Sequence, residues 1–240
     1  MLHFPIVAAY DCILIHRALV LFDIDGTLTR RAGPHHREAL VEGIRRVTGL
    51  RTTTEGIPVQ GMLDPVILHE MMRRAGAAPR FIRAAMPEIL AAAERYYRRV
   101  CPDLRHKHCP GVEPVLRRLA RRNILLALVT GNLTRIGWRK LERAGLRDYF
   151  RYGAFGEMAK TRGALVALAI AEARRHRWID AGTPISLVGD ATSDIQAARQ
   201  NSIRSIAVRT GITPVEDLIR EEPHILLRNL RDLRLRMVET

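Results

Sequence analysis

Two carboxylates stand two residues apart at Asp23 and Asp25, directly behind the apolar run Ala18-Leu19-Val20-Leu21-Phe22. Gly26 and Thr27 complete the segment Asp-Ile-Asp-Gly-Thr. Where a buried strand gives way to a loop, two such groups can converge on one reacting centre, and Gly26 permits a tight turn and close backbone approach. A second polar group, Thr130-Gly131-Asn132, follows the apolar run Ile124 to Val129. A hydroxyl beside exposed backbone N–H groups suits phosphate oxygens. A third group, Gly189-Asp190 with Asp194 beyond it, follows Ile185 to Val188. Acidic residues at the mouth of a buried strand are costly unless paired or metal-bound. Asp23 and Asp190 together offer the hard oxygen ligands that Mg2+ favours. This much negative charge needs a cation. Lys160 and Arg162 lie between the second and third groups, ahead of the helical pattern Ala164 to Arg175. The chain has only three lysines, Lys107, Lys140 and Lys160, so Lys160 stands out, and Arg162 is its rival.

Each group ends a short apolar run that reads as a buried parallel strand; Ser205 to Val208 is a fourth, and Tyr152 to Phe155 a weaker candidate. Helical patterns lie between them: Val112 to Arg122, Thr134 to Ala144 before Gly145, Ala164 to Arg175, and Ser193 to Gln200. The alternation predicts an α/β fold, a Rossmann-like parallel sheet covered on both faces. In such sheets ligands bind at the carboxyl ends of the strands, so the three groups are expected to share one site. From about Arg31 to Arg105 no strand pattern occurs. Helices are expected over Pro34–Thr48, Asp64–Ala75 and Pro79–Arg99, the last bent at Pro87. The organisation predicted is a core of residues 1–30 and 106–240 with a helical subdomain, residues 31–105, inserted in it.

The ordered set DIDGT, TGN, a basic residue and VGDATSD resembles the haloacid dehalogenase superfamily over most of the chain, and Ile206 to Gly211 resembles that family's next strand and turn. The resemblance implies that Asp23 is a nucleophile forming an aspartyl-phosphate, and that Asp25 protonates the leaving alcohol and then activates water. Similar dehalogenases lack the second aspartate, so its presence favours phosphoryl transfer. The resemblance further implies Mg2+ held by Asp23, the backbone carbonyl of Asp25, Asp190 and Asp194, and phosphate held by Thr130 with N–H groups near Gly26, Thr27 and Gly131. Asn132 faces the substrate side. The usual Lys-Pro of the third motif is replaced here by Lys160-Thr161, while Phe155-Gly156 to Arg162 resembles a subgroup that uses arginine. The inserted helices resemble the family's α-helical cap, and Gly61-Met62-Leu63-Asp64 its substrate-facing loop. Asp64 is thus a specificity candidate, against the simpler role of helix N-cap before Pro65. The implied activity is that of a phosphatase of a small phosphorylated metabolite, similar to phosphoglycolate phosphatases. A phosphomutase of the β-phosphoglucomutase type is the alternative, and a basic nucleic-acid-binding protein on the same fold is a second.

Composition bounds the rest. The 240 residues suffice for a sizeable core, and 47% hydrophobic with 27% charged is a globular balance. The net charge of +14 comes from 36 arginines spread along the chain, many in doublets, with aromatics at only 5%. Dispersed charge of this kind gives a general field rather than a nucleic-acid site, so nucleic acid is not an expected partner. Three cysteines do not make a disulfide framework, and the expected compartment is the cytoplasm. No apolar run reaches the roughly 18 residues of a membrane span. Residues 1–17 lack the basic start of a secretory signal and read as an extension on the core or an upstream start. His35-His36 reads as the start of a solvated helix, and His106 to Cys109 as a linker rather than a metal site. Tyr96-Tyr97 reads as packing within the helical insertion. A monomer or homodimer is expected.

Overall fold

Six parallel strands, β1 (Ala18–Phe22), β2 (Ile124–Val129), β3 (Tyr152–Ala154), β4 (Ile185–Gly189), β5 (Arg204–Val208) and β6 (Ile225–Leu227), form one sheet in the order β3-β2-β1-β4-β5-β6. This is a computed structural model, and it describes residues 15–30 and 33–239. Most of the expectation for residues 1–17 therefore lies outside the described residues. Every residue of β1 and β2 is buried, as central parallel strands require.

Alternate side chains of β1 feed opposite faces. Leu19 and Leu21 pack with Leu165, Val166 and Ala169 of α6 (Arg162–Arg175) and with Ala197 and Ala198 of α7 (Thr192–Gln200). Ala18, Val20 and Phe22 pack on the other face with α4 (Val112–Ala120) and α5 (Thr134–Ala144). The strand order reverses between β1 and β4, the point where doubly wound sheets open a crevice.

Three helices, α1 (His35–Thr48), α2 (Asp64–Arg74) and α3 (Pro79–Val100), are inserted between β1 and β2. Their apolar stripes, including Leu40, Ile44, Leu68, Ile89 and Tyr97, belong to the same continuous cluster as Phe22. The insertion is thus packed into the core layer rather than tethered beside it. Pro87 lies inside one continuous 22-residue helix. Pro87 and Arg83 are both exposed, so water can take the Arg83 carbonyl that loses its N–H partner. Two elements were not foreseen, α8 (Val215–Arg220) and β6, both too short to show a period.

Much of the arginine excess is engaged on helix surfaces. Arg45 and Arg46 share Glu42, Arg73 and Arg74 share Glu70, and Arg175 holds Glu172, all at helical spacing. His108 Nε2 donates to the Ala144 carbonyl at 2.7 Å, and Cys109 is buried, which suits a linker. No helix among the described residues is long and apolar enough to cross a membrane.

Candidate active site

Strands β1 and β4 are adjacent and in register at Phe22 and Val188, so the chain leaves both at one place. The Asp23 amide donates to the Val188 carbonyl at 3.0 Å. Asp190 follows β4, and Asp194 sits in the first turn of α7, where a carboxylate is favoured by the helix dipole. Its Oδ2 accepts from the Ala191 amide at 3.0 Å. Carboxylate oxygens of Asp23, Asp190 and Asp194 lie within 4.8 Å of one another, and all three residues are buried. Gly26 is required here: its φ is +87°, and a Cβ would stand 2.4 Å from Asp190 Oδ2. Thr27 Oγ1 donates to Asp190 Oδ1 at 3.2 Å, so Thr27 orients a carboxylate. Gln60, from the insertion, donates to Asp190 Oδ2 at 2.8 Å.

Burial and the neighbouring Asp194 and Asp25 carboxylates push Asp23 up to about 7, against the pull of Arg162. Asp190 and Asp194 are likewise raised, in both cases chiefly by burial. One cation faces this group directly. Arg162 Nη1 donates to Asp23 Oδ1 at 3.2 Å and Asp194 Oδ1 at 2.5 Å. One arginine against three buried carboxylates leaves a charge deficit. A hard divalent cation fits that donor set, all oxygen and all close.

Lys160, the favoured candidate for this cation, is corrected by the structure. It is exposed, on the outer surface beside Val66 and Met86. The physical reason is where the helix starts. Thr161 is the N-cap of α6, its Oγ1 accepting from the Ala164 amide, so Arg162 is the first helical residue and heads the buried stripe.

A lysine does enter the site, and it is Lys140. Its side chain is 1% exposed. Nζ donates to Asp25 Oδ2 at 2.5 Å and Asn132 Oδ1 at 2.6 Å, and lies 3.1 Å from His36 Nδ1. Burial raises the Asp25 carboxyl, but the Lys140 charge and the hydrogen bonds from Lys140 and Asn132 bring it below the usual carboxylate range. The Asp25 side chain is 35% exposed, and it opens into a cleft of about 440 Å3. Asp25 therefore does not join the carboxylate cluster through its side chain.

His36 also departs from its expected place on a solvated face. Its Nε2 lies 2.9 Å from Asp64 Oδ2, and its ring meets the buried Tyr97 edge-on. Asp64 is 2% exposed and does not cap its own helix. Its Oδ2 instead accepts from the Leu133 amide at 2.9 Å, and its own amide donates to the Gly131 carbonyl at 2.8 Å. Gly131 meets the insertion backbone so closely that a Cβ would stand 2.2 Å from the Met62 carbonyl oxygen. Thr130 lies behind Asn132, fully buried, its Oγ1 accepting from Asn132 Nδ2 at 2.8 Å. Its hydroxyl proton has no acceptor among the described residues. Sequence reasoning thus brought together Asp23, Asp25, Asp190, Asp194, Arg162, Thr130, Gly131, Asn132 and Asp64, and missed Lys140, His36 and Gln60.

A doubly wound sheet that gathers three buried carboxylates and a paired arginine at its switch point has the place and make-up of a ligand site. The sequence model of the haloacid dehalogenase-like hydrolases matches residues 18–201, from the first residue of β1 to just past α7. The chain belongs to that family. It is 28% identical over 163 residues to a phosphoglycolate phosphatase of Synechococcus elongatus, covering 68% of this chain and 72% of the relative. Among solved structures it resembles CbbY of Rhodobacter sphaeroides in complex with xylulose-1,5-bisphosphate, with a TM-score of 0.70, 19% identity, and coverage of 95% and 100%. It also resembles a β-phosphoglucomutase of Clostridium difficile, with a TM-score of 0.67, 18% identity, and coverage of 93% and 95%.

Proposed function

We propose that this chain is a Mg2+-dependent phosphatase of small phosphomonoesters. One observation carries the reading: a buried Asp23 within reach of Arg162 stands beside an accessible Asp25 whose Oδ1 has no donor among the described residues. In this reading an Asp23 oxygen attacks phosphorus, the bond from phosphorus to the alcohol oxygen breaks, and Asp25 gives its proton to that oxygen. The arriving phosphate dianion opposes Lys140 and pushes Asp25 up, so that it holds the proton it donates. Water then attacks the aspartyl-phosphate, Asp25 takes the water's proton, the bond to Asp23 breaks and inorganic phosphate leaves.

Asp23, Asp190, Asp194 and the Asp25 backbone carbonyl would hold Mg2+, whose chemistry is to screen the repulsion between carboxylate and phosphate. Arg162 keeps Asp23 oriented and lines the cleft that a phosphate would enter. Thr130 offers its free proton and Gly131, which lines the cleft, its amide; the expected help from Gly26 and Thr27 is corrected, because the turn spends their amides on the Thr29 and Ile24 carbonyls. Residues 31–105 act as the cap of a core made of 1–30 and 106–240, with Gln60, Met62, Asp64 and His36 lining the cleft. Arg37 lines it too and has no ion-pair partner among the described residues, which suits an anionic metabolite.

The test is phosphate release from a panel of small phosphomonoesters with and without Mg2+, Asp23→Asn serving as control. Release that needs both Mg2+ and Asp23 is expected. A folded protein that frees no phosphate from any ester overturns the reading. An isomerised ester without free phosphate would replace it by a mutase, and nucleic-acid binding that survives Asp23→Asn by a binding protein.

The charge deficit gives a second expectation, read by thermal melting. Mg2+ well above its dissociation constant raises the melting temperature by several degrees. In metal-free buffer Asp190→Asn melts above the parent protein, because it removes one of three crowded buried carboxylates, and it loses most of the response to Mg2+. The pH dependence has a definite sign. Asp23 is raised to about 7 in the folded state, so below that value the folded protein binds a proton that the unfolded chain does not. This contribution to metal-free stability therefore grows as pH falls from 7 toward the ordinary aspartate range. A flat profile, with no Mg2+ response, counts against the cluster as a cation site.

A further inference from the structure

Lys140 is a buried ammonium whose protons are all committed. It has three to give, and three acceptors stand around Nζ: Asp25 Oδ2, Asn132 Oδ1 and His36 Nδ1. Two consequences follow. Accepting at Nδ1 leaves the His36 proton on Nε2, where it is donated to Asp64 Oδ2. Asn132, accepting at Oδ1, turns its Nδ2 toward Asp25 Oδ2 at 2.8 Å. Asp25 Oδ2 therefore takes two donors, Lys140 and Asn132, while Oδ1 remains free among the described residues.

The two ends of this chain of contacts belong to different parts of the molecule. Lys140 and Asn132 come from the core, on and just before α5. His36 and Asp64 come from the insertion, on α1 and α2. Asp64 in turn holds the Leu133 amide at the entry to α5. Seating the insertion thus completes the shell of Lys140, and Lys140 fixes one oxygen of Asp25.

We propose that Lys140 is a positioning residue for Asp25: it clamps Oδ2 so that Oδ1 faces the leaving oxygen, and the insertion supports the clamp through His36 and Asp64. This rests on the phosphatase reading above, in which Asp25 protonates the departing alcohol. It carries a signature that a merely structural lysine would not have. Alkyl phosphates need a proton on their leaving oxygen, whereas 4-nitrophenyl phosphate, with a far more acidic alcohol, needs it little. The ratio kcat/KM reports steps up to departure of the alcohol, before the aspartyl-phosphate is hydrolysed.

The experiment compares kcat/KM for an alkyl phosphate and for 4-nitrophenyl phosphate in the full-length parent and in Lys140→Met. The expected result is a loss of about 100-fold on the alkyl ester with a change within about 3-fold on the aryl ester. His36→Leu, at a partly exposed position, is the second variant should Lys140→Met not fold; it removes one acceptor of the clamp and should show the same selectivity at about 10-fold. Equal losses on the two esters, or none on either, overturn the proposal while leaving the phosphatase reading intact. A parent protein inactive on both esters overturns the two together.

Discussion

Asp23→Asn is expected to lower phosphate release by roughly 10^4-fold or more while leaving the protein folded. The amide has the shape of the carboxylate but neither its charge nor its nucleophilic oxygen, so no aspartyl-phosphate can form. Loss of activity through misfolding is the usual confounder of such a variant, and here electrostatics argues against it. Asp23 is one of three crowded buried carboxylates and is itself pushed up to about 7 by burial and by its acidic neighbours. Neutralising it relieves repulsion, and Arg162 keeps its closer contact with Asp194. The metal-free variant should therefore melt at or above the parent. The measurement is phosphate release together with trapping of labelled phosphoenzyme: label on the parent and none on the variant. Turnover within about 10-fold of the parent would place the nucleophile elsewhere.

Asp23 and Asp190 were legible because each stands directly behind an apolar run too short and too apolar to be anything but a buried strand, and Asp194 because it opens the helix that follows Asp190. Strand ends at one sheet edge bring such residues together whatever the intervening helices do. The basic residues were harder, because helices place them and spacing along the chain does not reveal it directly. In retrospect one pattern marks them. His36 lies one turn before the buried Ala39 and Leu40 of α1. Lys140 stands between the buried Ile136 and Ala144 of α5. Arg162 begins the buried row Val166, Ala169 and Ala173 of α6. Each is a charged or titratable residue on an apolar helical stripe, where burial is costly unless a partner waits. Lys160 precedes its helix and lies on no stripe. Counting lysines drew attention to it; periodicity would have drawn attention to Lys140. Gln60 had no such signal. It sits in an irregular loop, and only the docking of that loop against Asp190 gives it a place.

The same stripe argument sets the second large effect, on the choice between the two basic residues of the third motif. Arg162→Met should lower turnover by about 1000-fold, while Lys160→Met stays within about 2-fold of the parent. Arg162 is buried and shared between Asp23 and Asp194. Its loss removes the fixed positive charge nearest the attacking oxygen and leaves both carboxylates without their cation. Breaking a buried pair from one side commonly costs about 3–5 kcal/mol, so part of the effect could reach stability. Mg2+ separates the two consequences. A bound divalent cation compensates the carboxylates and should restore the melting temperature of Arg162→Met toward that of the parent, but it cannot replace a guanidinium that orients Asp23 and offers donors to phosphate. The expected signature is stability recovered by Mg2+ with turnover still lost. Arg162→Lys should recover only a small part of that turnover, since Nη1 alone holds both carboxylates and an ammonium has no second nitrogen to keep for phosphate. If instead Lys160→Met carries the larger loss, the start of α6 must differ in the working enzyme, with Lys160 rather than Arg162 turned toward Asp23.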